Sequence, residues 1–89
     1  MHSSEGVERV TETVLVRYWA GARAATGVAS DVVGGSTVAD VVAAAVALHP
    51  ALEPVAAVAT FLVDGSASPR DRAVPAGATV EVLPPFAGG

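Results

Sequence analysis

The sequence predicts an α+β domain in which one main helix lies across one face of a mixed sheet of four to five strands. Short β-branched or aromatic runs are separated by Gly, Pro and Asp turn signals, which is typical of strands. One longer Val/Ala stretch repeats its apolar positions every three to four residues, which is typical of a helix. The length of 89 residues suits a single domain with a modest core.

The first strand is predicted over residues 13–19, which are rich in β-branched and aromatic side chains. Strand alternation puts Leu15 and Trp19 on the same face as Arg17, which marks that face as the wetter one. The opposite face holds Val14, Val16 and Tyr18. An Ala/Arg segment from Gly21 to Thr26 ends at Gly27, and Val28 to Val33 is predicted to return as a second strand.

The helix is predicted to begin after Thr37, which caps it together with the capping-box-like carboxylate of Asp40. Pro50 ends it. The stripe predicted to face the core comprises Val38, Val41, Val42, Ala45 and Leu48. His49 is expected to sit beside the helix C-terminal dipole, and no metal site is expected because His2 and His49 lack a third ligand at suitable spacing.

The remaining strands are predicted over Val58–Val63, before an Asp64-Gly65 turn, and over Thr79–Leu83, after a Pro75-Ala76-Gly77 turn. The segment from Ser66 to Val74 is expected to hold at most a short edge strand, because proline and a run of charges suit a solvated loop. The inward-facing residues are predicted to be Phe61, Val63, Val80 and Val82.

The opposite, open face of the sheet is predicted to carry Leu62, Leu83 and Leu15 as an apolar patch near the exit of the C-terminal segment. Such a patch usually marks a partner site, although single exposed leucines are also common. Arg17 and Glu81 are expected on the same face as a surface ion pair.

Composition argues against several classes of partner. The net charge is −4 and the five positive charges are scattered arginines, so neither nucleic acid nor a membrane surface is expected as a partner. There is no cysteine, and no apolar stretch reaches the length of a membrane span. The first residues lack a signal-peptide pattern. A cytoplasmic protein is therefore expected.

The most informative segment is the last one. Gly88 and Gly89 carry no Cβ, so their backbone can enter a channel too narrow for a side chain, while Pro84 and Pro85 stiffen the stem before them. Glycine-rich termini are often only loose ends. Here a strand runs directly into a proline stem, which favours a tail that is threaded into another protein's active site. Phe86 is expected to anchor in a pocket of that partner rather than in the core.

Residues 13–89 resemble the MoaD/ThiS sulfur carriers, which share the ubiquitin-like β-grasp fold. Three segments carry the resemblance: Tyr18-Trp19-Ala20 followed by Arg23 and Gly27, Phe61 through Gly65, and the ending Val82 through Gly89. The ending is more similar to the small subunits of molybdopterin synthase than to the thiamin-pathway carriers. Phe86 stands where a smaller aliphatic residue is usual, and Asp64 where asparagine is frequent.

The chain is expected to divide into a flexible N-terminal tail over residues 1–12, whose first residues are mainly polar, a β-grasp domain over 13–84 and a Gly-Gly tail over 85–89. The resemblance implies that an adenylating enzyme similar to ubiquitin-activating proteins uses ATP to activate Gly89, which then becomes a thiocarboxylate. The residues expected to thread into the partner are Pro85, Phe86, Ala87 and Gly88. The carrier would bind no cofactor or metal and would have no catalytic side chain of its own.

The implied acceptor of the sulfur is the large subunit of molybdopterin synthase, or another sulfur-accepting synthase. Three alternatives stay open. The chain could be a carrier for thiamin or cysteine biosynthesis, or a ubiquitin-like modifier joined through Gly89 to lysines of other proteins, which its own lack of lysine permits. It could also be an interaction module with an inert tail.

Overall fold

The computed structural model describes residues 13–85 of the chain. The strands are β1 (Thr13–Tyr18), β2 (Ser30–Gly34), β3 (Thr60–Val63), β4 (Ser66–Ser68) and β5 (Thr79–Leu83). The helices are α1 (Ala20–Thr26), α2 (Val38–Leu48) and α3 (Glu53–Ala56), and a 3-10 turn (Pro50–Leu52) precedes α3. The strands form one sheet in the order β2-β1-β5-β3-β4, in which β1 and β5 are parallel and all other neighbours antiparallel. The predicted α+β fold, with one main helix and a mixed sheet, is confirmed.

Helix α2 starts where the capping signal predicts. The amide of Asp40 donates to Thr37 Oγ1 at 3.2 Å, and the amide of Thr37 donates back to Asp40 Oδ2 at 3.3 Å. Hydrogen bonds from Ser36, and then from Thr37, hold the pKa of the Asp40 carboxyl below its ordinary value. This reciprocal arrangement satisfies amides that have no partner within the helix.

The apolar stripe of α2 is confirmed at four of its five positions. The residues that are buried as predicted are Val38, Val41, Val42 and Ala45. Leu48 was expected to face the core and is instead 54% exposed. The helix ends at Leu48, and Leu52 of the following 3-10 turn is fully buried at 0% exposure, so it supplies the core side chain at this end of α2.

The connection between β1 and β2 is a helix, whereas the sequence indicates only an Ala/Arg segment there. Gly27 ends α1 in the left-handed conformation, with φ of 77°, and its amide donates to Arg23 O at 2.8 Å. The Thr26 hydroxyl then donates to Val28 O at 2.9 Å. Val28 lies in the loop that follows α1, and β2 begins at Ser30 and not at the predicted Val28.

Strand β3 also begins later than predicted. The amides of Val58 and Ala59 donate to Val55 O and Ala56 O, so both residues belong to the turn that ends α3. The strand therefore starts at Thr60 instead of Val58. The predicted Asp64-Gly65 turn is confirmed, with positive φ values of 47° and 87° that suit a two-residue hairpin.

The core lies between the sheet and the helices and is built mainly from valine and alanine. The largest fully buried side chains are Leu52, Val14, Val16, Val38, Val41, Val63, Val80 and Val82. The inward positions predicted by alternation in β3 and β5 are all buried. Within residues 13–85, no helix combines the length and apolar character that crossing a membrane would require.

Candidate functional site

The C-terminal segment leaves the domain from the middle of the sheet. Its last strand, β5, lies between β1 and β3, and the chain passes from Leu83 into half-buried Pro84 and exposed Pro85. Pro85 is the one predicted threading residue that the structure describes. The others, together with the predicted reactive residue, lie outside the described residues: Phe86, Ala87, Gly88 and Gly89.

The open face of the sheet is the face opposite the helices, and the structure places all three predicted leucines on it. Leu83 is half-buried and pairs with Thr60 of β3, while Leu62 is half-buried and pairs with Glu81. Leu62 and Leu83 are therefore diagonal neighbours next to the exit.

Leu15 lies at the other end of the open face. Its partner in β5 is Thr79, four residues before Leu83, or about 13 Å along the strand. Glu81 separates it from the other two leucines. Leu15 instead pairs with Val32 of β2, which is 64% exposed. The role of Leu15, Leu62 and Leu83 in partner binding stays a prediction.

Trp19 is a surface residue at the exit that is not among the candidates predicted from the sequence. Its amide donates to Val82 O at 3.3 Å, which places it beside Leu83, and 38% of the residue is exposed. The guanidinium of Arg17 lies 5.0 Å from the centroid of its ring, a cation–π contact. The signal was available, because Trp19 is the single tryptophan and alternation already put it on the wetter face.

The expected ion pair between Arg17 and Glu81 is not formed, although the two residues are partners in the register of β1 and β5. Arg17 stacks on Trp19 instead, and the close contact between a basic and an acidic side chain found among residues 13–85 is the one between His49 Nε2 and Asp31 Oδ2. Trp and Arg are among the residue types enriched at the energetic centres of protein interfaces. An exposed Trp–Arg stack next to two half-buried leucines forms a surface suited to a protein partner.

A polar cluster on the helix side joins β1, β2 and the end of α2. The Tyr18 hydroxyl donates to Asp31 Oδ2 at 2.9 Å, and His49 Nε2 lies 2.7 Å from the same oxygen. The rings of Tyr18 and His49 meet edge to face. His49, expected beside the helix dipole, is the residue that follows α2, and its side chain is used in this cluster. Residues 13–85 contain no group of three His, Cys, Asp or Glu side chains that could hold a metal ion.

This cluster predicts a specific loss of stability at high pH. Burial, followed by the hydrogen bond to Asp31 and its negative charge, raises the pKa of Tyr18 well above its ordinary value. The folded state therefore favours the protonated phenol. That stabilisation is complete below the unfolded pKa of about 10 and is lost as pH rises through the folded pKa. We expect the free energy of unfolding to fall above about pH 10.

The composition makes this prediction easy to measure. Tyr18 is the single tyrosine and the chain has no lysine or cysteine, so no other side chain has an ordinary pKa between about 9 and 12. Tyrosinate absorbance and denaturant unfolding can be followed together across that range. In Tyr18→Phe the alkaline loss should be absent. A wild-type stability that stays flat up to pH 12 would contradict the prediction.

Comparison with known proteins gives one family and several solved structures. The model of the ThiS family matches residues 16–89. The crystal structure of SAMP1 from Haloferax volcanii matches with a TM-score of 0.78 and 26% identity, covering 86% of this chain and 99% of that one. The comparison with curated proteins found no match.

Two further solved structures resemble the fold. A putative molybdopterin converting factor, subunit 1, from Pyrococcus furiosus is 24% identical with a TM-score of 0.74, covering 83% of this chain and 98% of that one. Small archaeal modifier protein 1 from Methanosarcina acetivorans is 22% identical with a TM-score of 0.77, covering 86% and 96%. At these identities the likeness concerns the fold alone.

Proposed function

The chain belongs to the ThiS family, and we propose that it is a sulfur carrier that acts through Gly89, with molybdopterin synthesis as the destination of the sulfur. The observation that carries the proposal is that the family match extends through Gly89. The path of the chain supports it, because the segment leads outward from a central strand to exposed Pro85, four residues before Gly89.

The chemistry needs the carrier to supply only a carboxylate. An oxygen of Gly89 attacks the α-phosphorus of ATP on an activating enzyme and releases pyrophosphate, which gives an acyl-adenylate. The terminal sulfur of a persulfide then attacks the carbonyl carbon and AMP leaves. A thiol then attacks the sulfur of the resulting acyl disulfide that belongs to the persulfide donor, so the S–S bond breaks, the thiol and the donor form a disulfide, and the thiocarboxylate is left on Gly89. Adenylation is required because the ionised carboxylate, with an ordinary pKa near 3.5, is a poor electrophile.

The proposed pathway rests on the last six residues. Their order, two prolines, an apolar residue, a small residue and two glycines, resembles the ending of molybdopterin synthase small subunits. We propose that the tail enters the large subunit of that enzyme. A carrier for thiamin or cysteine biosynthesis would use the same chemistry with a different acceptor.

A ubiquitin-like modifier is the second candidate, because of the likeness to SAMP1 from Haloferax volcanii over 99% of that chain. The name SAMP1 stands for small archaeal modifier protein 1. In this alternative Gly89 would form an isopeptide bond with lysines of other proteins, and products would have the mass of a conjugate.

The test is the intact mass of the protein after co-expression with an activating enzyme and a persulfide donor. We expect a gain equal to the exchange of one oxygen for sulfur, located by fragmentation at Gly89. Without the activating enzyme the mass should not change. Conjugates to other proteins without any thiocarboxylate would favour the modifier, and an unmodified chain would contradict both candidates.

A variant at the exit tests the interaction surface. Leu83→Asp puts a charge between Leu62 and Trp19, and loss of a central interface contact costs about 2 kcal/mol, or roughly 30-fold in affinity. The activating enzyme is expected to bind this variant about 30-fold more weakly in a titration.

Leu48→Asp is the matched control, because Leu48 is 54% exposed at the end of α2, away from the open face. It should bind the activating enzyme like the wild type, and cooperative unfolding above the temperature of the titration should show that both variants are folded when affinity is measured. Equal affinities of the two variants would remove the exit surface from the interface.

A further inference from the structure

An apolar notch lies beside the departing segment, between α1, the α3 region and the proline stem. It has a volume of about 360 Å³. The described residues that line it carry no charged side chain; they are Gly21, Pro54, Val55, Val58, Pro84 and Pro85. The notch is distinct from the open face and takes no part in the interaction surface described above.

The notch is uncovered in the described part of the chain. Val58 is 63% exposed and Pro85 is exposed, while Val55 is half-buried. The space beside Gly21 is open, since a Cβ added there would meet no heavy atom within 4 Å. Glycine inside a helix is less favourable than alanine, so this residue leaves room at a small cost to α1.

The next residue along the chain fits this space. Pro84 and Pro85 form one wall of the notch, and Phe86 is bonded directly to Pro85, so the spacing of about 3.8 Å between consecutive Cα atoms keeps its side chain within reach of that wall. Phe86 is also the single bulky side chain after Pro85, because Ala87, Gly88 and Gly89 follow it. We propose that in the free protein the ring of Phe86 docks into this notch of its own domain.

Docking would divide the tail into two parts. Residues 84–86 would be a fixed stem, and residues 87–89 a free tip with a reach of about 10 Å. This consequence rests on the proposed function, because the tip presents a reactive carboxylate only if Gly89 is the residue that the activating enzyme adenylates. A partner that binds the ring of Phe86 would first have to displace it from the notch. The apparent affinity is then the intrinsic affinity multiplied by the fraction of molecules in which the ring is free.

The experiment is methyl-detected NMR of the free, full-length protein without any partner. We expect nuclear Overhauser contacts between the Phe86 ring and the methyl groups of Val55 and Val58, at intensities independent of protein concentration. In Phe86→Ala the Val58 methyl resonances should lose an upfield ring-current shift. This variant leaves every described core residue unchanged.

Two variants in the notch and one outside it complete the design. Gly21→Asp and Val58→Glu place a carboxylate in the notch and should each abolish the ring contacts, whereas Leu48→Glu, at a similarly exposed leucine, should leave them intact. Amide spectra verify that all three are folded.

The proposal is overturned if no Phe86 contact appears and the Val58 shifts are the same in wild type and Phe86→Ala. It is equally overturned if contacts arise only between differently labelled copies, which would mean docking into a second molecule. Thiocarboxylate formation is measured separately by mass, so either idea can fail alone.

Discussion

Deletion of Gly89 is expected to abolish sulfur loading, and so is addition of one residue after it. One extended residue moves the terminal carbonyl by about 3.3–3.6 Å. A misplacement of about 1 Å at a reacting centre already costs roughly 100-fold in rate. We therefore expect the rate of acyl-adenylate formation to fall by more than about 100-fold in both variants. The measurement is pyrophosphate release by the activating enzyme, together with the intact mass.

The same variants should not change stability, because every buried apolar residue that the structure describes lies between Val14 and Val82. Addition of one residue before Met1 is the size-matched control and should load sulfur normally. Full loading of a chain that lacks Gly89 would contradict the carrier proposal. So would an intact mass showing that the natural chain continues beyond Gly89.

The parts of the fold that follow from short-range rules were predictable. Alternation in β5 identified Val80 and Val82 as inward, and the capping box of Thr37 and Asp40 fixed the start of α2. Each depends on neighbours within four residues. The α+β arrangement follows from the order of these elements, because a sheet and a helix that each have one apolar face bury them against each other.

Features that depend on distant contacts were not predictable. Arg17 stacks on Trp19 and does not pair with Glu81, its partner in the register of β1 and β5, and the register alone does not decide between these two contacts. For the candidate site, the sequence identified the leucines of the exit but not Trp19. The distance between Leu15 and the exit depends on how β1 pairs with β5. Alternation within a single strand gives no information about that pairing.

The end of α2 gives the clearest example. A stripe at spacings of three and four continues from Ala45 to Leu48, yet the helix stops there and the chain turns at Pro50. Leu52 lies three residues after His49, the residue that follows α2, and it enters the core as the largest fully buried side chain. The periodicity of apolar residues within α2 cannot reveal that Leu52 is buried, since Leu52 belongs to the 3-10 turn that follows the helix.

Leu52→Ala is therefore expected to be strongly destabilising, whereas Leu48→Ala should have little effect. Truncation of a buried leucine to alanine costs about 2–5 kcal/mol, through lost burial and the cavity that remains. In a domain of this size about 1 kcal/mol changes the unfolding temperature by roughly 4–8 °C, so a loss of about 3 kcal/mol lowers it by roughly 12–24 °C. Leu48 is 54% exposed, and its truncation should cost less than about 0.5 kcal/mol.

The two variants make the same chemical change four residues apart, so helix propensity and the unfolded chain contribute little to their difference. Denaturant unfolding with a common slope gives the comparison directly. Because small domains are stable by only about 5–15 kcal/mol, Leu52→Ala removes a large part of the margin. Equal losses in the two variants, or a larger loss for Leu48→Ala, would mean that α2 extends its apolar stripe to Leu48 and that the core at this end is closed by the helix rather than by the turn after it.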